Sequence, residues 1–136
     1  MRESFHVPYT ALACLEAGRV AVLAPHADDE VFGCGGTLAL LVERQVPVSV
    51  AVVSSGADAE VRRGESLCAA RILGYDPPAF WDLEDGGVVA DEALVRRIVL
   101  WLKETGADLL LAPSLWEMHR DHRAVSGAVR NVASHR

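Results

Sequence analysis

A histidine and three acids stand together in His26-Ala27-Asp28-Asp29-Glu30, and a second histidine-acid group follows much later in His119-Arg120-Asp121-His122. Imidazole and carboxylate are ligands of a borderline cation such as zinc, and a catalytic zinc takes three protein ligands and keeps a position open. His26 and Asp29, three apart in a tight turn, are placed to supply two of the three. Asp28 is expected to project differently from its neighbour, which suits a base acting on water at the metal. The second group offers the remaining histidine. His119 and His122 are three apart and share a face on a helical turn, so one is available to the metal. The other can then give a hydrogen bond or proton to the reacting group, with Asp121 orienting it. Acids after a strand also suit a helix N-terminus for its dipole alone, and isolated surface histidines are common. The pairing of the two groups is what makes the chemistry specific.

Each group follows an apolar run that ends in proline: Val20 to Ala24 before Pro25, and Leu109 to Ala112 before Pro113. Runs of this length read as strands buried on both faces, and proline ends their pairing. After the first group, Gly33-Cys34-Gly35-Gly36-Thr37 is expected to turn the backbone into a helix from about Gly35 to Arg44. A second strand over Val48 to Val53 closes in the loop 54–58. A helix from Ala59 stops at Gly74, and a short strand over Ala79 to Leu83 leads into the turn Glu84-Asp85-Gly86-Gly87. Asp91 caps the clearest helix, which places Leu94, Ile98, Trp101 and Leu102 on one face and stops at Gly106. Helical composition returns over Ala124 to Val132. This alternation predicts an α/β fold, Rossmann-like and three-layered, with a mostly parallel sheet. Right-handed crossovers put the carboxyl ends of parallel strands on one edge, so the two groups converge. Arg62 reads either as part of a solvated helix face or as a cleft residue for an anionic or hydroxyl-rich group. Asp85 falls at a strand end within what composition marks as an ordinary turn. At the N-terminus, Tyr9 to Ala17 reads as a short helix or docked arm, with His6 an ordinary surface residue.

The chain has 136 residues, enough for one domain over 1–136 with a real core. A hydrophobic share of 51% against 24% charged excludes disorder. Net charge is -6, with Lys+Arg 13 against Asp+Glu 19, so no basic surface awaits a nucleic acid, and with so few aromatics a base-stacking platform is not expected. No run reaches membrane-span length, and no signal peptide is expected. Cys14, Cys34 and Cys68 are odd in number and widely spaced, which argues for reduced thiols and a cytoplasmic protein. Cys34 reads as a small buried residue in the glycine turn rather than a ligand.

The stretch Pro25-His26-Ala27-Asp28-Asp29-Glu30 with its glycine-rich continuation, and His119-Arg120-Asp121-His122 after a strand ending in proline, resemble the LmbE-like (PIG-L) N-acetylglucosaminyl deacetylase family. The resemblance runs over about residues 19 to 126. It implies a Rossmann-like fold and a divalent metal, Zn2+ or another, that serves to hydrolyse N-acetyl groups of glucosamine-containing conjugates. It further implies that His26, Asp29 and His122 bind the metal and that Asp28 is the general base. His119 would stabilise or protonate the tetrahedral intermediate, with Asp121 tuning it. Arg62 and the Asp85-Gly86 turn would contact the sugar substrate. Two departures stand out: Ala27 replaces a frequent proline, and little chain follows the second motif, so a short or C-terminally truncated LmbE-like domain is expected. The expected partner is a small glycoconjugate, and a homo-oligomer is compatible with this reading.

Readings from other classes make different demands. A Rossmann-type nucleotide binder would use the glycines after the first strand, yet Gly33, Gly35 and Gly36 lack the G-x-G-x-x-G spacing and phosphate would meet three acids. A non-catalytic metal- or partner-binding module of the same fold would keep the two groups without turnover. A phosphoester or amide hydrolase acting outside sugar chemistry is a third reading.

Overall fold

The computed structural model describes residues 15–134; His6, Cys14 and most of the expected Tyr9 to Ala17 helix lie outside them. Strands and helices alternate throughout: β1 (Val20–Ala24), α1 (Asp29–Glu43), β2 (Val48–Ser55), α2 (Ala59–Leu73), β3 (Ala79–Glu84), α3 (Glu92–Thr105), β4 (Leu109–Leu111) and α4 (Arg120–Ser134). The four strands form one sheet in the order β3-β2-β1-β4, with every pair parallel. β1 is central because its five residues are buried on both faces. Period-two alternation sends Val20 and Val22 into one core with Leu38 and Leu41 of α1. It sends Ala21 and Leu23 into the other core with Ile98 of α3 and Val125 of α4. The result is the three-layer α/β sandwich with helices on both faces that the alternation of elements implied.

Sheet order also fixes where a site can form. The chain grows from β1 through β2 to β3 on one side, then returns so that β4 pairs with the other side of β1. That reversal opens a crevice beyond the carboxyl ends of β1 and β4, the usual ligand position in such sheets. The 26–30 and 119–122 groups flank it.

One local expectation is corrected. The segment 33–37 is not a turn; it lies inside α1, which begins at Asp29. Asp29 and Glu30 occupy the first turn, where acids complement the helix dipole. Burial of Leu38 and Leu41 then outweighs the loss of about 1 kcal/mol that each interior glycine brings. A side chain at Gly33 or Gly36 would meet nothing within 4 Å, so neither glycine is there for close approach. α4 likewise starts earlier than composition suggested, at Arg120. Among the described residues, no helix is long and apolar enough to cross a membrane.

Candidate metal and active site

His26 sits just past β1 in a turn whose backbone is fixed by its own side chains. The His26 amide donates to Asp29 Oδ2 at 2.9 Å, which folds the Asp29 carboxylate back over the turn. Between them Asp28 adopts φ 93° and ψ -24°, a left-handed backbone uncommon for a residue with a side chain. This sends its carboxylate away from that of Asp29, towards α2. There Arg62 Nη1 donates to Asp28 Oδ2 at 2.9 Å and to the Ala27 carbonyl at 3.2 Å.

α4 brings in the second group. His122 Nε2 lies 3.3 Å from His26 Nδ1 and 3.1 Å from Asp29 Oδ2. His26 Nδ1 lies 3.3 Å from the same Asp29 oxygen. Three donor atoms therefore form a nearly equilateral triangle. Ligands bonded at about 2.0–2.1 Å to a tetrahedral zinc stand about 3.3–3.4 Å apart, so the triangle has the dimensions of one face of such a site. Wider groupings also exist: His26, His119 and His122, and separately His26, Asp85, His119 and Asp121, each offer atoms within 4.8 Å of one another. The triangle is the more compact arrangement, its three atoms standing 3.1 to 3.3 Å apart.

Asp121 is fully buried and accepts the backbone N–H of Gly86 at 2.7 Å and of Val88 at 3.3 Å. Its Oδ2 also lies 3.2 Å from His26 Nε2. The Asp121 carboxylate thus faces His26, whereas His119 accepts the Asp121 backbone N–H, on Nδ1 at 3.3 Å. That differs from the sequence expectation, in which Asp121 tunes His119. The reason is that Asp121 lies one residue into α4 and points inward to the core, while His119 precedes the helix and is exposed. His119 meets His26 edge to face, with ring centroids 4.7 Å apart.

The charges are mutually supporting. The hydrogen bond that His26 donates to Asp29 raises the His26 pKa to about 9 against the opposing effect of burial, with Asp121 and Asp85 adding to the rise. Burial pushes Asp29 up, but its hydrogen bonds with His26 and the nearby His122 outweigh that and hold it below its ordinary value. Burial likewise opposes Asp121, and the Gly86 amide with His26 carries it below the usual range. Burial, helped by the charge of Glu30, pushes the Cys34 thiol up to about 11, in keeping with a packed and unreactive residue.

Arg62 and Asp85 both line a cleft of about 200 Å3 that opens beside His26. Asp85 Oδ1 lies 3.2 Å from His26 Nε2. Ser55, Arg63 and Phe80 also line the cleft, and residue type and spacing offered no reason to single them out. Arg63 lies over the Phe80 ring at 4.2 Å and donates to Asp82 Oδ1 at 2.8 Å, and that oxygen also accepts from Ser55 at 2.6 Å. These residues come from β2, α2 and β3, so only folding unites them.

Comparison with known proteins places the chain in a family. The sequence model for the GlcNAc-PI de-N-acetylase family, PIG-L, matches residues 21–133. The 2'-N-acetylparomamine deacetylase of Streptomyces fradiae is 31% identical over 152 residues, which cover 87% of this chain and 53% of that protein. The N,N'-diacetylchitobiose deacetylase from Pyrococcus horikoshii superposes with a TM-score of 0.81 at 25% identity, over 88% of this chain and 50% of the other. A 4-carboxy-2-hydroxymuconate hydratase from Pseudomonas putida superposes with a TM-score of 0.75 at 24% identity, over 84% of this chain and 55% of the other, a likeness of fold alone. The chain spans about half the length of these relatives. With the matched segment running from β1 through α4, and both histidine-acid groups inside it, the chain belongs to the PIG-L family.

Proposed function

We propose that the chain is a metal-dependent N-deacetylase that releases acetate from an N-acetylglucosamine-type unit of a small conjugate. The observation that carries this reading is the triangle of His26 Nδ1, Asp29 Oδ2 and His122 Nε2, with the His119 ring packed against His26 beside it. These three atoms would hold a divalent ion, Zn2+ by preference. When bound, such an ion supplies Lewis-acid polarisation of the acetamide carbonyl and acidifies water. The acetylated sugars in the names of the Streptomyces and Pyrococcus relatives support the substrate class.

The remaining steps fall to side chains. Asp28 accepts the proton of the attacking water and lies on the opposite side of the turn from the ligand Asp29. His119, exposed at the mouth, donates to the oxygen of the tetrahedral intermediate and then protonates the departing amine. The C–N bond breaks, leaving free amine and acetate. Asp121 holds His26 through Nε2 and so leaves Nδ1 with its lone pair toward the ion. Arg62 and Asp85, on either side of the cleft, meet the sugar hydroxyls. The glycines once eligible to cradle a nucleotide phosphate are interior to α1, which removes the basis of that rival.

The test measures bound metal and acetate release from N-acetylglucosamine and N,N'-diacetylchitobiose, for wild type and Asp28→Ala together. The reading expects about one ion per chain in both proteins and acetate release from wild type alone. Acetate release preserved in Asp28→Ala overturns the assignment of the base; metal without release from either probe overturns the substrate class.

A further inference from the structure

Of the acids in the first turn, Glu30 has no part in the chemistry proposed above, yet it is the most deeply buried, at 1% exposure. Its carboxylate is met from three segments. Oε2 accepts the backbone N–H of Asp28 at 3.1 Å. Oε1 accepts the hydroxyl of Ser66, on α2, at 2.9 Å and that of Tyr75, past the end of α2, at 3.3 Å. A helix N-terminus alone would ask only for an acid near the first turn, and an exposed one would serve. Here the acid is buried and anchored by two side chains, and its outer oxygen grips the one amide of the turn that belongs to a left-handed, non-glycine residue. Such a backbone persists only where its surroundings over-determine it.

We propose that Glu30 is a positioning residue for Asp28: anchored by Ser66 and Tyr75, it clamps the Asp28 amide and so fixes the backbone that separates the base from the metal-binding carboxylate of Asp29. The inference rests on the reading of Asp28 as the base. Burial, with Glu30 beside it, pushes the Tyr75 hydroxyl upward, so Tyr75 remains a donor to the clamp across the working pH range. The network also joins the site to α2, since Ser66 lies one helical turn beyond Arg62, which holds the Asp28 carboxylate from its other end.

The clamp is tested with Glu30→Leu in a chain also carrying Ser66→Ala and Tyr75→Phe, so that no hydroxyl is left buried without a partner. Glu30→Gln serves as the conservative control, because its amide can keep an oxygen on the Asp28 N–H while the two hydroxyls turn to accept from its NH2. The first readout needs no turnover: the Asp28 amide should lose its hydrogen-exchange protection in the triple variant and keep it in Glu30→Gln. The second is kinetic, with N,N'-diacetylchitobiose as probe. The triple variant should hold its metal and its KM within about twofold while kcat falls about 10²-fold, the scale of a misplaced reacting group. Glu30→Gln should restore most of kcat. In an Asp28→Asn background the same triple change should lower kcat no further, because the group it positions is already gone. Unchanged Asp28 protection, or an equal fall in kcat in both backgrounds, overturns the clamp. Wild-type kcat in Asp28→Asn overturns the base assignment instead, and the exchange measurement still judges the clamp by itself.

Discussion

The turn at 26–30 leaves a strand whose five residues are all buried, whereas the group at 119–122 is reached from a three-residue, half-buried strand at the edge of the sheet. The first turn is over-determined. Asp29 returns to the His26 amide, Glu30 to the Asp28 amide, and Arg62 to the Asp28 carboxylate. The segment before the second group exposes Trp116 and Met118 at 93% and 92%, and is tied mainly by Arg123 donating to the carbonyls of Glu117 and Met118. On the proposed reading the difference is functional. Two ligands and the base, which need fixed geometry, stand on the rigid side. His119, which must follow the reacting group from oxyanion to leaving amine, stands on the lightly held side. Asp121 links them, since it belongs to α4 but spends its carboxylate on His26 and on the Gly86 and Val88 amides.

The largest effects should separate the two turns. Asp29→Ala removes a triangle corner and the tie that shapes the first turn, so bound metal and acetate release should both disappear. His119→Ala should leave metal stoichiometry intact while kcat falls about 10²–10³-fold, the usual cost of losing one donor to an oxyanion. Metal analysis beside steady-state kinetics decides the matter: equal metal loss in both variants would break the division of labour. Asp121→Asn tests the link and should be milder. An amide can still occupy the space but no longer holds the Nε2 proton of His26 as a carboxylate does, and metal affinity should fall about 10–100-fold. Competition with a chelator measures it. A loss of kcat at full metal occupancy would place Asp121 with His119, as the sequence suggested.

How much of this was legible beforehand follows from the range of each interaction. β1, the boundaries of α2 and the Asp91 cap of α3 rest on local pattern, and Asp91 does accept the Leu94 amide at 2.9 Å. The convergence of the 26–30 and 119–122 groups was also inferable, because sheet topology alone puts two strand ends on one edge, although topology does not say which histidine of the second group meets His26. The glycine-rich segment misled, since helix packing through Leu38 and Leu41 overrode local preference. The partner of Asp121, the Arg63-Phe80 contact and the grip of Glu30 on Asp28 were not readable. Each depends on the direction of a side chain across elements distant in sequence, and residue type carries no such information.

The smallest expected effect concerns the first turn without metal, and its sign can be worked out. The folded His26 pKa stands near 9 against 6.5 for the free side chain, so the protonated ring between Asp29, Asp121 and Asp85 favours the folded state. A raised base contributes stability that is fully present below 6.5 and is lost as pH climbs through 9. Asp29 and Asp121, both held below their ordinary 3.8, act in the opposite sense: their contribution is present above that value and lost as the pH falls through their lower, folded values. Chelated wild type should therefore melt highest between these limits and lose stability from about pH 6.5 to 8.5, before Cys34 and Tyr75 enter their own range. The metal-loaded chain should show a shallower fall, because ligation requires the neutral ring and removes its proton at all these pH values. His26→Ala, chelated, should be nearly flat over the same interval. Thermal melts of the three samples decide it. A parallel fall in His26→Ala would assign the pH dependence to groups outside the turn, and the rigidity claimed for it would then rest on hydrogen bonds alone.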